Sequence, residues 1–370
     1  MKILVTGASG FVGKNLICQL ENLGYRDIYK YDKDNSKEDL DLFTKDCNFV
    51  FHLAGVNRPK QVEEFVSGNV NFTQELIDSL EKNNNNCRIM ISSSIQAELD
   101  NPYGESKRNG EKLIFEYSIR NNVPVFVYRF PNLYGKWSNP NYNSVVATFC
   151  NNIANDLPIT VNDKNVELRL CYIDDVVKEL INCLESNPTA DENNFYKVPV
   201  EDKVNLGKLA EIIQSFKVNR KSLNVINCNS HLEKSLYSTY LSFLPTNDFA
   251  YELKENVDNR GSFTEIIKTL DRGQFSVNIS KPGITKGNHW HNTKTEKFLV
   301  VSGHCLIKFR KIGDEKVYTY DVSDKKMEVV DIPCGYTHNI TNVGDSDSVT
   351  FMWCNECYDP NNPDTYYLEV

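Results

Sequence analysis

The chain contains 370 residues and carries a net charge of −9. Its length predicts two domains, and its composition is typical of a soluble globular protein. The negative charge argues against binding to nucleic acid or to an anionic membrane, and no apolar stretch is long enough to cross a bilayer. Eleven scattered cysteines, and a strand that begins directly after Met1 instead of a signal peptide, predict a cytoplasmic protein with reduced thiols.

The first thirteen residues combine a short apolar run, Ile3–Val5, with three glycines spaced three residues apart. The apolar run predicts a buried strand, and the residues that follow the glycines predict a helix. Gly7 permits a tight turn, Gly10 lets backbone N–H groups approach a pyrophosphate, and Gly13 lets the helix pack closely on the strand. Because the N-terminus of a helix attracts phosphates, we predict a dinucleotide-binding site here.

Strand and helix signals alternate along the rest of the first half of the chain. This order predicts an α/β fold with a doubly wound parallel sheet of the Rossmann type. The second strand ends at Asp32, whose carboxylate suits the adenosine ribose of NAD, but Lys33 could instead pair with the 2′-phosphate of NADP. The spacing alone therefore leaves the choice between NAD and NADP open.

A serine cluster, Ser92–Ser94, follows the fourth predicted strand, at the edge where ligands bind in such sheets. Tyr103 and Lys107 are four residues apart at the start of a predicted helix, so they share one face. A neighbouring ammonium favours the ionised phenol, and we expect it to lower the pKa of Tyr103 toward neutrality. A serine hydroxyl can hold the same carbonyl oxygen, so the cluster predicts a catalytic site for carbonyl chemistry.

These motifs, with the segments 52–55, 69–73, 129–135 and 169–175, resemble the extended short-chain dehydrogenase/reductases that act on nucleotide sugars. The resemblance covers roughly residues 1–241 and implies a catalytic triad of Ser94, Tyr103 and Lys107. It also implies a sugar-nucleotide contact for Asn132 and a pyrophosphate contact for Arg169, which could equally be a surface ion-pair member. The residues expected to bind the cofactor are Gly7, Ser9, Gly10, Phe11, Val12, Gly13, Asp32, Lys33, Leu53, Ala54, Asn69, Tyr103 and Lys107.

The pattern changes near Thr246, after a segment that contains a proline. Beyond this point short β-rich runs are separated by Gly, Pro, Asn and Asp, and helical periodicity is nearly absent. This indicates an antiparallel double sheet or barrel. We therefore predict a reductase domain at 1–246 and an all-β domain at 247–370.

The second domain contains a candidate metal site. His289 and His291 alternate on one predicted strand and project from the same face, while Glu296 and His338 complete three imidazoles and one carboxylate. The spacing G-x5-H-x-H-x4-E-x6-G followed by P-x-G-x2-H-x3-N resembles the two signature motifs of the cupin superfamily. Zinc is favoured, although manganese, iron or nickel would also suit these ligands, and the alternative is a polar network without a metal.

Two further segments, 258–265 and 284–289, are similar to motifs of the cupin-fold nucleotide-sugar 3,5-epimerases. This resemblance implies that Arg260 binds nucleotide phosphates and that Lys286 is a second basic contact. His289 matches the catalytic histidine of those enzymes, which typically bind no metal. His289 therefore has two competing roles, as base or as metal ligand, and the epimerisation base stays open.

The fusion of these two domains resembles the bifunctional capsular-polysaccharide enzymes of the CapF type, in the UDP-N-acetyl-L-fucosamine pathway. The resemblance covers the whole chain and implies that the cupin domain epimerises C3 of a UDP-2-acetamido-2,6-dideoxy-4-hexulose. The reductase domain would then reduce C4 with NADPH, giving UDP-2-acetamido-2,6-dideoxy-L-talose. A homodimer is expected by family analogy. The alternatives are a reductase whose cupin is only a metal-stabilised dimerisation module, and a non-enzymatic redox or sugar sensor.

Overall fold

The computed structural model describes residues 1–370, and the contacts within the chain separate two compact units. The first unit contains Met1–Gln214 and Ser230–Pro245, and the second contains Ser215–Asn229 and Thr246–Val370. The segment Ser215–Asn229 therefore groups with the second unit. The division into two functional domains at residue 246 stays a prediction.

The first unit contains eight strands, and the chain as a whole contains nine α-helices. The strands of the first unit are β1 (Ile3–Thr6), β2 (Ile28–Tyr31), β3 (Phe49–His52), β4 (Arg88–Ser94), β5 (Val125–Phe130), β6 (Asn132–Tyr134), β7 (Glu167–Tyr172) and β8 (Asp202–Asn205). The helices are α1 (Phe11–Asn22), α2 (Lys37–Thr44), α3 (Glu63–Phe65), α4 (Phe72–Lys82), α5 (Pro102–Asn121), α6 (Val145–Ala154), α7 (Ile173–Asn182), α8 (Leu206–Ser222) and α9 (His231–Leu241). A π-helical turn, Val66–Asn71, joins α3 to α4.

The main sheet of the first unit has the strand order β2-β1-β3-β4-β5, and all four pairings are parallel. Side chains of β1 alternate between two cores: Ile3 packs with α1 and α7, whereas Leu4 packs with α2, α4 and α5. Because helices cover both faces, the sheet is doubly wound, and the predicted fold class is confirmed for this unit. Strands β6, β7 and β8 form a separate small sheet.

The second unit is built from eleven strands in two antiparallel sheets. The strands are β9 (Glu255–Asp258), β10 (Gly261–Thr269), β11 (Gly273–Ser280), β12 (Thr285–Trp290), β13 (Glu296–Ser302), β14 (His304–Lys311), β15 (Val317–Ser323), β16 (Val329–Ile332), β17 (Tyr336–Asn342), β18 (Ser348–Cys354) and β19 (Tyr366–Tyr367). One sheet has the order β16-β13-β18-β11-β10-β9, and the other has the order β15-β14-β17-β12-β19.

Both sheets of the second unit contribute to one apolar core. Phe298 and Val300 of the first sheet pack with Ile307, Phe309 and Ile340 of the second. This arrangement confirms the predicted all-β cupin-like architecture. None of the helices combines the length and the apolar character needed to span a bilayer. All eleven cysteines have free thiols.

Candidate active site and candidate metal centre

The loop between β1 and α1 leaves no room for side chains at its glycines. Gly7 has φ of +68°, in the left-handed region, and a Cβ there would lie 2.8 Å from the Ala54 nitrogen. A Cβ on Gly13 would lie 2.3 Å from the Gly7 carbonyl oxygen, so α1 packs directly against the turn. This cradle at the N-terminus of α1 fits a dinucleotide pyrophosphate. Phe11, Val12 and Leu53 pack on the core beneath it.

Asp32 is held by the glycine-rich loop at the end of β2. The Ser9 N–H donates to Asp32 Oδ2 over 2.7 Å, the Ser9 hydroxyl donates to the same oxygen, and the Lys33 N–H donates to Oδ1 over 2.8 Å. Although burial acts to raise it, these hydrogen bonds keep the pKa of Asp32 below its ordinary value. The Lys33 side chain is exposed, so an anion and a cation stand together where the adenosine ribose is expected.

Both the oxygen and the nitrogen of the Asn69 side-chain amide form hydrogen bonds within the protein. Its Oδ1 accepts from the Val56 N–H at 2.8 Å, and its Nδ2 donates to the Val56 carbonyl at 2.9 Å and to Ser106 Oγ at 3.0 Å. The side chain is buried and ties the loop after β3 to helix α5. The contacts of this predicted cofactor residue indicate that it holds the loop containing Ala54.

The predicted triad lies where β4 ends and α5 begins. Successive side chains of a strand point to opposite faces, so Ser93 meets Glu111 whereas Ser94 faces Tyr103. Lys107 Nζ lies 5.9 Å from the centre of the Tyr103 ring and donates to the Ser92 carbonyl at 3.1 Å. The structure therefore brings Ser94, Tyr103 and Lys107 together at the carboxyl edge of the parallel sheet.

The expected lowering of the Tyr103 pKa was wrong. Burial raises the pKa of Tyr103, and the hydrogen bond with Ser94 offsets this only in part. Burial also lowers the pKa of Lys107 to about 8, while the nearby Glu111 carboxylate opposes that shift. The sequence pattern shows the spacing of the two groups but not their burial, which disfavours both charged forms.

One residue near Lys107, Glu111, was missed by the sequence analysis. Glu111 is 4% exposed, accepts from the Ser93 hydroxyl and forms a bidentate ion pair with Arg129, at 2.9 Å from Nε and 2.7 Å from Nη2. At Gly55, a Cβ would lie 3.1 Å from Lys107 Nζ, so a larger residue would crowd the ammonium. The four-residue spacing between Lys107 and Glu111 was the available signal that the Glu111 charge acts on Lys107.

The two predicted sugar-nucleotide residues are neighbours on β6 and β7. Asn132 Nδ2 donates to the Arg169 carbonyl at 3.1 Å. The half-exposed Arg169 guanidinium forms a bidentate ion pair with Glu201, with both N–O distances 2.8 Å. This geometry matches the ion-pair alternative, in which Nε and Nη2 of Arg169 are engaged by Glu201. The pyrophosphate contact of Arg169 stays a prediction.

The four predicted metal ligands converge inside the second unit. Each of His289, His291, Glu296 and His338 offers one ligand atom, and these atoms lie within 4.8 Å of one another. Strand pairing between β12 and β17 sets His289 opposite His338, whereas Glu296 opens β13 in the other sheet. The cluster therefore depends on both sheets.

The chemistry of this cluster fits a divalent metal. His338 is 1% exposed, its Nδ1 has no hydrogen-bond partner, and its Nε2 lies 3.2 Å from Glu296 Oε2. Burial, reinforced by His338, lowers the pKa of His289 to about 4, which keeps this imidazole neutral. Although burial opposes ionisation, contacts with His291 and His338 hold the pKa of Glu296 well below its usual range. A neutral imidazole beside an ionised carboxylate is a suitable ligand pair for zinc.

The two predicted phosphate contacts of the second unit differ in their surroundings. Arg260 is half exposed and pairs with Asp258, at 2.9 Å from Nε and 2.6 Å from Nη2. Lys286 Nζ donates to Asn278 Oδ1 and to the Ile279 carbonyl, each at 2.8 Å. Burial lowers the pKa of Lys286, with Asp258 and Arg260 acting in opposite directions. The charges of Asp258 and Arg260 therefore both act on the Lys286 ammonium.

Comparisons with known proteins agree with both halves of this architecture. Residues 3–198 match the NAD dependent epimerase/dehydratase family, and residues 256–366 match the polysaccharide biosynthesis C-terminal domain. The chain is 44% identical, over 372 aligned residues, to the UDP-2-acetamido-2,6-beta-L-arabino-hexul-4-ose reductase of Pseudomonas aeruginosa, covering 100% of this chain and 99% of that one.

Solved structures are similar to the whole or to part of this chain. The capsular polysaccharide assembling protein CapF of Staphylococcus aureus superimposes with a TM-score of 0.94 at 52% identity, covering 100% of both chains. The UDP-glucose 4-epimerase of Thermotoga maritima matches with a TM-score of 0.54 at 18% identity, covering 66% of this chain and 98% of that one. The latter similarity shows the fold alone.

Proposed function

This chain belongs to the NAD-dependent epimerase/dehydratase family, and from its full-length similarity to a UDP-sugar reductase and to CapF we propose that it reduces a UDP-4-ketosugar for capsular polysaccharide synthesis. We further propose that the cupin domain, 247–370, first epimerises C3 of a UDP-2-acetamido-2,6-dideoxy-4-hexulose. The reductase domain, 1–246, then forms UDP-2-acetamido-2,6-dideoxy-L-talose. The enzyme acts in the cytoplasm as a homodimer.

One observation supports the reductase activity above all: Ser94, Tyr103 and Lys107 meet beside the glycine cradle that fits a dinucleotide. A bound nicotinamide coenzyme supplies the hydride for C4. Tyr103, kept neutral by its raised pKa, donates its proton to the sugar oxygen at C4, and Ser94 donates a hydrogen bond to the same oxygen. Lys107, anchored on the Ser92 carbonyl, holds positive charge next to the phenol.

We favour NADPH as the coenzyme. Asp32 already accepts three hydrogen bonds from Ser9 and Lys33, which leaves it less free to bind ribose hydroxyls. The exposed Lys33 ammonium next to it can pair with a 2′-phosphate. The remaining cofactor contacts lie in the Gly7–Gly13 loop and at Leu53 and Ala54.

The order of the two reactions follows from the acidity of the sugar. The proton on C3 is acidic only while C4 is a ketone, because the anion left behind delocalises as an enolate. Epimerisation must therefore precede reduction. In the cupin domain we assign Arg260 and Lys286 to the nucleotide phosphates, and in the reductase domain we assign Asn132 and Arg169 to the sugar nucleotide.

The cupin ligands His289, His291, Glu296 and His338 would hold one divalent metal, with zinc favoured. Such a metal would supply Lewis acidity to sugar oxygens if its coordination expands beyond these four ligands, and structural stability if it does not. A purely structural metal is compatible with the reductase-only alternative, in which the cupin is a metal-stabilised dimerisation module.

Proton exchange at C3 separates these two functions. Incubating the ketosugar with enzyme in deuterated water, without NADPH, is expected to introduce deuterium at C3. Arg260→Ala should lower the exchange rate because the phosphate anchor is lost, whereas Arg272→Ala, which removes an exposed arginine beside Asp271, should not. Mass spectrometry of the recovered sugar measures the deuterium incorporated by the native enzyme and by each variant. Exchange that is absent with the native enzyme would support the reductase-only function.

The rate of reduction is expected to fall above about pH 8, because the ammonium of Lys107 then loses its proton. Glu111→Gln removes the anion that raises the pKa of Lys107, so this alkaline limb should move to lower pH. Initial rates of NADPH oxidation as a function of pH check the shift. Glu116→Gln is the control, since Glu116 pairs only loosely with Lys112 and Arg120 at 3.9 Å on the same helix. An identical limb in Glu111→Gln and the native enzyme would contradict this role.

A further inference from the structure

A segment far along the chain, Asp364–Glu369, pairs with the strand that carries a candidate metal ligand. Its short strand β19 is antiparallel to β12, with Tyr367 opposite His289 and Tyr366 opposite Trp290. The rings of Trp290 and Tyr366 stack with their centres 4.8 Å apart, and the Leu368 N–H donates to the Asn288 carbonyl at 3.0 Å. The position of His289 is therefore tied to this segment.

The Asp364 carboxylate holds the loop that connects two other candidate ligands, His291 and Glu296. Its Oδ2 accepts from the backbone N–H groups of Thr293 at 2.7 Å and Lys294 at 2.9 Å, and from Thr293 Oγ1 at 3.1 Å. Its Oδ1 accepts from the Asn292 N–H at 2.9 Å. A single side chain thus accepts hydrogen bonds from three consecutive backbone N–H groups, which fixes the conformation of the loop.

The backbone of Asp364 also orients His291 directly. The Asp364 carbonyl oxygen accepts a hydrogen bond from His291 Nδ1, and His291 Nε2 lies 3.3 Å from Glu296 Oε2. Donation from Nδ1 leaves the lone pair of Nε2 directed at the cluster, which is the tautomer that a metal ligand requires. One residue therefore sets both the tautomer of His291 and the path of the chain to Glu296.

We propose that Asp364–Glu369 is a clamp that organises the metal centre, with Asp364 as its positioning residue. This inference rests on the proposed metal site in the cupin domain. Without the clamp, the metal must itself order the loop and the His291 ring, and that entropy cost weakens binding. By thermodynamic reciprocity, a bound metal strengthens the docking of the clamp by the same factor.

The test measures Zn²⁺ affinity of the full-length protein by competition with a chromophoric chelator. Asp364→Asn is expected to weaken Zn²⁺ binding by about 10- to 100-fold, the range typical of residues that support metal ligands. Asp359→Asn is the matched control, because Asp359 lies in the same part of the chain but accepts from the Asn361 N–H at 2.9 Å. It should bind Zn²⁺ as the native protein does.

Amide hydrogen exchange provides a second readout that needs no variant. Adding Zn²⁺ to the native protein should slow the exchange of the Asn292, Thr293 and Lys294 amides, which the Asp364 carboxylate holds, and of the Leu368 amide. Equal Zn²⁺ affinity in Asp364→Asn and the native protein, or exchange that Zn²⁺ leaves unchanged, would overturn the clamp. A native protein that binds no divalent metal would overturn the metal site as well.

Discussion

Replacing Tyr103 by phenylalanine is expected to lower kcat for ketone reduction by about 10²- to 10⁴-fold, the usual contribution of a positioned proton donor. The ring would keep its place beside Phe65, at 5.4 Å between ring centres, while the hydroxyl that interacts with Ser94 would be lost. Without that hydroxyl the developing alkoxide has no proton donor at hand. Single-turnover oxidation of NADPH with the epimerised ketosugar measures the chemical step directly.

The effect of Tyr103→Phe should be confined to the reductase. Deuterium incorporation at C3 is expected to continue at the native rate, since we assign that reaction to the cupin domain. Tyr29→Phe is the matched control, because it removes a hydroxyl that bonds Asp46 at 2.9 Å near the protein surface. A rate of NADPH oxidation in Tyr103→Phe equal to that of the native enzyme would contradict the catalytic role of the triad and favour the non-enzymatic sensor.

Replacing His338 by alanine is expected to abolish stoichiometric metal binding, with an affinity loss of more than about 100-fold. His338 is fully buried, its Nε2 lies 3.2 Å from Glu296 Oε2, and the centre of its ring lies 4.6 Å from that of the His289 ring. Loss of the imidazole removes one of four ligands and leaves Glu296 with one contact fewer. Elemental analysis of the purified protein measures the bound metal.

Thermal unfolding with added zinc gives an independent measure of the same site. A metal that binds only the folded protein stabilises it by about 2.7 kcal/mol at a free concentration one hundred times Kd. We therefore expect zinc to raise the Tm of the native protein but not that of His338→Ala. His304→Ala is the control, since its imidazole bonds Asp321 at 2.6 Å on an exposed part of β14. A full metal complement in His338→Ala would exclude it as a ligand.

Local patterns in the sequence were sufficient to predict the fold class and to select the candidate residues. The glycine spacing, the alternation of strands and helices, and the change to short β-runs after residue 246 depend on neighbours along the chain. The convergence of His289, His291, Glu296 and His338 was also predictable, because strand alternation and the motif spacing place them on facing surfaces.

The burial of the candidate residues and the partners they bind were decided by contacts between residues distant in the sequence. These contacts depend on how the chain folds back on itself. The pKa of Tyr103 is raised because the folded chain buries it, Arg169 is paired with Glu201, and Asn69 is engaged with Val56 and Ser106. Asp364 meets Thr293 from 71 positions away along the chain. No local pattern marks such a pairing, since only the closed pair of sheets brings these two residues within hydrogen-bonding distance.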